Sequence, residues 1–317
     1  MTATIGIDIG GSSTTAIAID HGGQIVGRHE ASGVVDGGRQ IVSAALFAVS
    51  ALGVDHLDAV GVGVPGQVDP VTGQVRMAVN LGIGPGPLDL GAELQDALGL
   101  PVTVENDVHA AAVGAHEELR LDGEAPDTLA LVSIGTGIGA GVVLHGEVLR
   151  GAHGMAGEIG HVVVDESGPV CRCGQRGCLE AVAAGPSIAR AWPRGAAGSA
   201  ATALFSAAAE GDAAAQKVAG RIAGHITTAL IWLSATHDAE MIVLAGGVSA
   251  AGRPFLEAVH EQVERRGLAS ELAARRLRPE QVVLARVDDA PGALGAAVLA
   301  ARLMEKRESP AASRERQ

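Results

Sequence analysis

The three cysteines of this 317-residue chain all fall within eight positions, Cys171-Arg172-Cys173-Gly174-Gln175-Arg176-Gly177-Cys178. Glu158 and His161 lie just upstream of them. Three thiolates and one imidazole make a Cys₃His set, the donor composition of a closed, structural zinc site, so His161, Cys171, Cys173 and Cys178 are the candidate metal ligands. A disulfide beside one free thiol, or three inert small residues, are the other readings; the odd count without a secretory leader weighs against the disulfide. A hydrolytic zinc centre would need an open coordination position, which a Cys₃His set does not leave.

Glycine supplies a second kind of chemistry. The apolar run Thr4–Ile9 ends in Asp8-Ile9-Gly10-Gly11-Ser12-Ser13, and a second apolar run follows from Thr15. The same layout returns where Thr128–Ile134 meets Gly135-Thr136-Gly137-Ile138-Gly139 and continues through Ala140–Leu144. Each predicts a β-hairpin whose turn, bare of side chains, offers backbone N–H groups to an anion. The second turn formally fits G-x-G-x-x-G/A, but that fingerprint should open a helix and here opens a β-branched strand. No Gly-Lys-Ser/Thr is present, which excludes a Walker A loop. A third apolar strand, Met241–Ala245, runs into Gly246-Gly247, and a helical pattern begins near Pro254.

The best candidate base is Asp107. It follows the apolar strand 101–104 and precedes the alanine-rich helical stretch 110–115. That is a strand-to-helix corner, where functional groups collect in α/β folds. The competing reading is that Asp107 only caps the helix, and local sequence leaves the two even.

Composition narrows the classes of function. With 47% hydrophobic and 19% charged residues the chain reads as an ordinary soluble protein, long enough for two lobes. A net charge of −13, 2% aromatic residues and no tyrosine argue against a nucleic-acid surface. Met1-Thr2-Ala3-Thr4 carries no basic leader and no long apolar segment follows, so the expected location is cytoplasmic, with no membrane partner. The stretch 194–203, rich in Gly, Ala, Ser and Thr, reads as a loop, and the polar tail from Glu305 is expected to fray.

Two halves, each opening on a hairpin with a phosphate-sized turn, suggest a duplicated fold. The blocks Asp8-Ile9-Gly10-Gly11, Gly63-Val64-Pro65-Gly66, Glu105-Asn106-Asp107, Gly135-Thr136-Gly137-Ile138-Gly139, Gly157-Glu158-Ile159-Gly160-His161, the cysteine motif through Glu180, and Gly246-Gly247 stand in one order over about residues 5–250. In these blocks the chain resembles the ROK family of bacterial sugar kinases. The resemblance implies a two-lobed α/β fold of the actin/hexokinase-like ATPase (ribonuclease H-like) type, with nucleotide and sugar in a cleft between lobes. It implies a smaller lobe over 1–118, joined by a C-terminal helix near 291–306, a larger lobe over 119–290, and a disordered tail over 307–317.

The same resemblance assigns roles. Asp107 becomes the catalytic base, and Gly66, Asn80, Asn106, Asp107, Glu158, His161 and Glu180 read the sugar. Asp8, Gly10, Gly11, Ser12, Ser13, Gly135, Thr136, Gly137, Gly139, Gly246 and Gly247 receive the nucleotide, with Asp8 orienting Mg²⁺ through water. His161 serves twice, one ring nitrogen on zinc and the other on a sugar hydroxyl. Glu158 and His161 are three apart, so one helical turn puts both on one face. Glu180 has a plainer reading as an exposed acid at a helix start. Zn²⁺ and Mg²⁺ with ATP are the implied cofactors, sugar and ATP the partners, and a homodimer or homotetramer the assembly.

Two positions depart from the family pattern. Ser13 stands where a lysine is usual, and Asn80-Leu81-Gly82-Ile83 lacks the aromatic of the usual Asn-Leu-x-Trp. The activity implied is phosphorylation of a hexose 6-hydroxyl by ATP, glucose first. N-acetylglucosamine or N-acetylmannosamine is the rival substrate. A sugar-sensing regulator without catalysis is the rival of another class; the family's repressors carry an N-terminal DNA-binding domain for which no room is read ahead of Thr4.

Overall fold

The computed structural model describes residues 3–194, 199–286 and 290–308. Two compact units share the chain: Met1–Ala125 with Gly146–Ala156 and Asp288–Gln317, and Pro126–His145 with Gly157–Val287.

The first unit is built on a five-stranded sheet. Strands β1 (Ala3–Ile9), β2 (Ser13–Ile19) and β3 (Ile25–Ser32) form an antiparallel meander, closed between β1 and β2 by the first glycine turn. Helix α1 (Gly38–Leu52) leads to β4 (Leu57–Val64), which pairs parallel to β1. The short hairpin β5 (Gln67–Asp69) and β6 (Gln74–Arg76), then α2 (Leu90–Leu98), precede β7 (Val102–Asn106), parallel to β4, and α3 (Asp107–Leu121). The spatial order is β3-β2-β1-β4-β7. Central β1 is buried along nearly its whole length, whereas edge strand β3 alternates, as expected where helices cover the parallel part of a sheet. Ile5, Ile7 and Ile9 fall on one face of β1 and join Ile41, Ala45 and Leu94 in a single core.

The second unit repeats the plan. Strands β8 (Thr128–Ile134) and β9 (Ile138–Leu144) make an antiparallel hairpin around the second glycine turn, with Ser133 opposite Gly139. The two-residue strand β10 (Glu147–Val148) opens the segment that belongs to the first unit. Helices α4 (Leu179–Ala183), α5 (Gly185–Ala191), α6 (Ala200–Ala209) and α7 (Ala213–His237) follow. Then come β11 (Met241–Ala245), α8 (Arg253–Ala269), α9 (Glu271–Arg276) and β12 (Val282–Leu284). Strand β11 pairs parallel with both β8 and β12. On α7, Ile222, Ile226, Leu230 and Leu233 recur at helical spacing into a core that includes the edge-on pair Phe205 and Phe255, 5.1 Å between ring centroids.

The last helix, α10 (Pro291–Glu308), returns to the first unit and lies backbone-close to it. A Cβ on Gly6 of β1 would collide with the Ala293 carbonyl, one on Gly61 of β4 with that of Ala296, and one on Gly114 of α3 with that of Pro291. These glycines sit inside regular elements, where they cost stability, because any side chain would push the helix away.

Three expectations need correction. Residues 200–203 are the first turn of α6, not loop: alanine is the best helix former, and Ala201, Leu204 and Phe205 bury one face; residues 195–198 of that stretch lie outside the described residues. The helix expected to fray from Glu305 continues to Glu308, and 309–317 lie outside the described residues. The first unit runs past 118 to Ala125 and takes in Gly146–Ala156, because Arg150 and Ala156 bond back to Glu105 and His109. Among the described residues no helix is long and apolar enough to cross a membrane.

Candidate functional site

In the first unit the candidates gather where β1, β4 and β7 end. Asn106 is the N-cap of α3: its Oδ1 accepts the N–H of Val108 at 3.0 Å and of His109 at 3.1 Å. Its Nδ2 donates to the Gly66 carbonyl at 3.0 Å. Gly66 has φ +102°, and a Cβ there would lie 2.7 Å from the Arg76 carbonyl, so the position demands glycine. Asp107 is therefore the first residue inside the helix and not its cap, although its Oδ1 shares the Val108 N–H at 2.9 Å. Of Asn106, one amide N–H remains for a ligand.

Asp8 lies on the face of β1 opposite the isoleucines, its carboxylate against the start of α10, where a Cβ on Gly292 would strike it. Burial, and second the negative charge of Asp107, push the Asp8 carboxyl up from 3.8 to about 7. At the first glycine turn Gly10 N–H donates to the Ser13 carbonyl at 2.9 Å, and the exposed Ser12 has its carbonyl taken by Gly33 N–H at 3.0 Å. Asn80 is exposed on a 3₁₀ turn, with its carbonyl 3.1 Å from the place a Gly11 Cβ would take. Ile83, which replaces the family's aromatic, is buried in the first unit's core.

One buried group was missed from sequence as a functional element. Glu105, 4% exposed, receives Arg150 Nε at 2.6 Å and its neighbour Asn106 N–H at 3.1 Å, and it lies 3.3 Å from His109 Nδ1. The i,i+4 spacing of Glu105 and His109 was a readable signal for that pair. Arg150, 45 residues away, left none.

In the second unit, Gly135 N–H donates to the Gly137 carbonyl at 2.9 Å and Gly185 N–H to the Gly135 carbonyl at 2.8 Å, which shapes the turn; Thr136 at its tip is exposed. Gly246, at φ +85°, lies so close to the end of β8 that a Cβ would sit 2.7 Å from the Ile134 carbonyl. Gly247 beside it is exposed with open space around it. The turn Gly135–Gly139 and Gly246-Gly247 are thus neighbours. Glu180, expected to read sugar, has its carboxylate at this turn: Oε2 accepts the Ile138 N–H at 3.2 Å and would lie 2.8 Å from a Gly137 Cβ.

Gly157 and Gly160 let the segment before His161 lie on β9, since a Cβ on either would collide with the carbonyls of Ala140 and Ile138. The 3₁₀ turn Ile159–His161 then brings Glu158 Oε2 to 4.0 Å from His161 Nε2. The opposite ring nitrogen, Nδ1, is 3.6 Å from Cys171 Sγ, and Cys173 Sγ is 3.6 Å from Cys178 Sγ. All four ligand atoms lie within 4.8 Å of one another. Bonds of about 2.3 Å from a tetrahedral zinc to sulfur imply edges of about 3.8 Å, so the donor set fits such a metal. A tight turn makes the fit: Cys171 N–H donates to the Gln175 carbonyl at 2.7 Å and Gly174, at φ +91°, reverses the chain. Hydrogen bonds led by the Gln175 N–H bring the Cys173 thiol down to about 7, while burial lifts Cys178 to about 12.

With this geometry in place, likeness to other proteins becomes informative. The ROK family pattern matches residues 4–303. The chain belongs to the ROK family. This ROK protein is 34% identical over 283 residues to a glucokinase of Halalkalibacterium halodurans, covering 82% of the chain and 84% of the relative. It is also 34% identical over 307 residues to an N-acetylmannosamine kinase of Escherichia coli, covering 94% and 98%. A crystal structure of a ROK family glucokinase from Streptomyces griseus in complex with glucose and AMPPNP superposes with TM-score 0.77 at 31% identity, covering 95% of the chain and 99% of its own. The fold is that of the actin/hexokinase-like ATPases.

Proposed function

We propose that this ROK protein is an ATP-dependent sugar kinase that phosphorylates the 6-hydroxyl of a hexose, glucose first. The observation that carries the reading is the division of labour at the start of α3. Asn106 does the capping, so the carboxylate beside it is not explained as a cap. A base within reach of a hydroxyl contributes typically about 10²–10⁴-fold, and Asp107 takes that role. Asp8, whose ionisation is held back by burial and by Asp107, is the residue that would face Mg²⁺ bound with ATP, and that charge would favour its carboxylate form. Backbone N–H groups of the two glycine turns receive phosphate, with Gly246-Gly247 beside the second. Glu158 and His161 orient the sugar. Zn²⁺ held by His161 Nδ1 and the three cysteines would fix the imidazole with Nε2 presented outward, a scaffold role.

A second reading, N-acetylmannosamine kinase, draws support from the Escherichia coli relative, equal in identity and matched over more of the chain than the glucokinase. The absence of an aromatic at Ile83 also removes a glucokinase feature. Release of ADP measured over glucose, N-acetylglucosamine and N-acetylmannosamine decides between them. The expected result is the highest kcat/KM for glucose, abolished by Asp107→Asn in a folded protein. A higher kcat/KM for an N-acetylhexosamine promotes the second reading, and full activity of the variant refutes the base. Sugar binding without turnover of any sugar would make the chain a regulator.

A further inference from the structure

His109 is 2% exposed and sits one turn into α3, yet both of its ring nitrogens face acceptors. Nε2 is 2.8 Å from the Ala156 carbonyl, which accepts only, so Nε2 carries a hydrogen. Nδ1 is 3.3 Å from Glu105 Oε1, and that carboxylate already takes Arg150 Nε at 2.6 Å and the Asn106 N–H. Burial pulls the Glu105 carboxyl upward, but the hydrogen bond from His109 and the Arg150 charge outweigh it and hold it below the usual range. Facing an acceptor on each side, the ring satisfies both only with a hydrogen on each nitrogen. Burial acts against its charge, and the bonds to Glu105 and Ala156 overcome it, leaving the pKa above the ordinary value despite Arg150.

The placement of this cation is unusual in one respect. In a capping box the residue three past the N-cap reaches back to the N-cap N–H. Here that N–H, of Asn106, is taken by Glu105, and the residue three past the cap, His109, grips Glu105 instead. The box is completed by relay, and it closes around Asp107: the backbone N–H of His109 holds Asn106 Oδ1 while its ring holds the residue before Asn106. The far side of the ring holds Ala156, two residues ahead of Glu158 in the chain.

We infer that His109 is a positioning residue of this site, a doubly donating imidazolium that locks the Glu105-Asn106-Asp107 corner to the Arg150–Ala156 segment. The inference rests on the reading of Asp107 as the base. The charged groups facing the ring are Glu105 from β7 and Arg150 from the segment after β10; the Ala156 carbonyl is its third polar neighbour. Because the folded pKa is raised, the lock is complete below the ordinary histidine range and is lost as pH rises through the folded value.

Two measurements test this. In ¹⁵N spectra of histidine-labelled wild-type protein, the His109 signal, assigned by its loss in His109→Gln, should show both nitrogens protonated at pH 7. In steady-state kinetics His109→Gln, whose amide satisfies one acceptor only, should lower kcat by about 10- to 100-fold, the scale of an ångström of misplacement at the reacting group. The KM for ATP should stay within about threefold, a small change on the ~10-fold per 1.4 kcal/mol scale. The alkaline decline of wild-type kcat should be absent from the variant. A neutral His109 at pH 7 overturns the inference, whether or not the variant folds. So does unchanged kcat in a folded His109→Gln beside an inactive Asp107→Asn. Full activity of Asp107→Asn would instead sink the base assignment, leaving the imidazolium state to be judged from the spectra.

Discussion

Asp8→Asn should stabilise the ligand-free protein while impairing catalysis. The carboxyl of Asp8 is raised from 3.8 to about 7, burial contributing most and Asp107 next. Between those two values the folded state binds more protons than the unfolded chain, so wild-type stability falls as pH rises through that window and levels off above it. Each pKa unit is worth about 1.36 kcal/mol, and Asp8 is only half-buried, so ionising it costs on the order of 2–4 kcal/mol at pH 8. An asparagine of nearly equal volume has no charge to desolvate and escapes that cost. Unfolding entropy of about 2.1 cal/mol/K per residue converts the gain, for a chain of this length, to a melting-temperature rise of about 3–6 °C. Differential scanning calorimetry of wild type and variant from pH 4 to pH 8 is the assay. The two should melt together near pH 4 and separate as pH rises towards 8. A variant that melts no higher at pH 8, or by the same margin at every pH, refutes the claim that Asp8 bears a buried-charge penalty. ADP release by the variant should fall sharply if Asp8 holds the proposed place beside Mg²⁺, because an amide cannot replace a carboxylate there.

The glycines of the second turn should separate by position. Gly135→Val adds atoms where nothing lies within 4 Å, so it should raise the KM for ATP by at least ~10-fold, about 1.4 kcal/mol, with sugar affinity intact; equal loss of both ligands in a folded variant refutes a nucleotide role. Gly137→Val should instead weaken both ligands, because its Cβ would meet the Glu180 carboxylate; selective loss of ATP would show that Glu180 does not reach the sugar. Freshly purified protein should contain one zinc ion per chain, and Cys173→Ser should lose it and raise the sugar KM several-fold with little change for ATP, since His161 and Glu180 flank the loop. Elemental analysis showing no zinc, or a variant with unaltered metal and sugar KM, removes the structural-metal reading.

Both hairpins were legible because a glycine turn between β-branched runs is a local preference, and the strands fall within a residue or two of the expected bounds. The Cys₃His set was legible because ligands close in sequence cannot fold far apart, and the four side chains do converge. The stretch 194–203 was misread because Gly, Ala, Ser and Thr together resemble a loop. Only burial of Ala201, Leu204 and Phe205 reveals the helix that begins at Ala200.

Residue types and spacing alone pointed to the turns, to the cluster of His161, Cys171, Cys173 and Cys178, and to the strand-to-helix corner at Asp107. The tertiary structure decided which polar groups share a neighbourhood. Nothing local says whether Asp107 or Asn106 caps α3, since both types can; the backbone angle at the corner chooses Asn106. Nothing local pairs Arg150 with Glu105, or sets Glu180 against the second glycine turn. Gly6, Gly61 and Gly114 look like weak points in their elements until α10, from the far end of the chain, is laid against them. Short-range preferences are written residue by residue. A buried charge or a missing Cβ has meaning only through partners brought in by the folding of distant segments, because desolvation and close packing depend on everything within a few ångströms, whatever its distance along the chain.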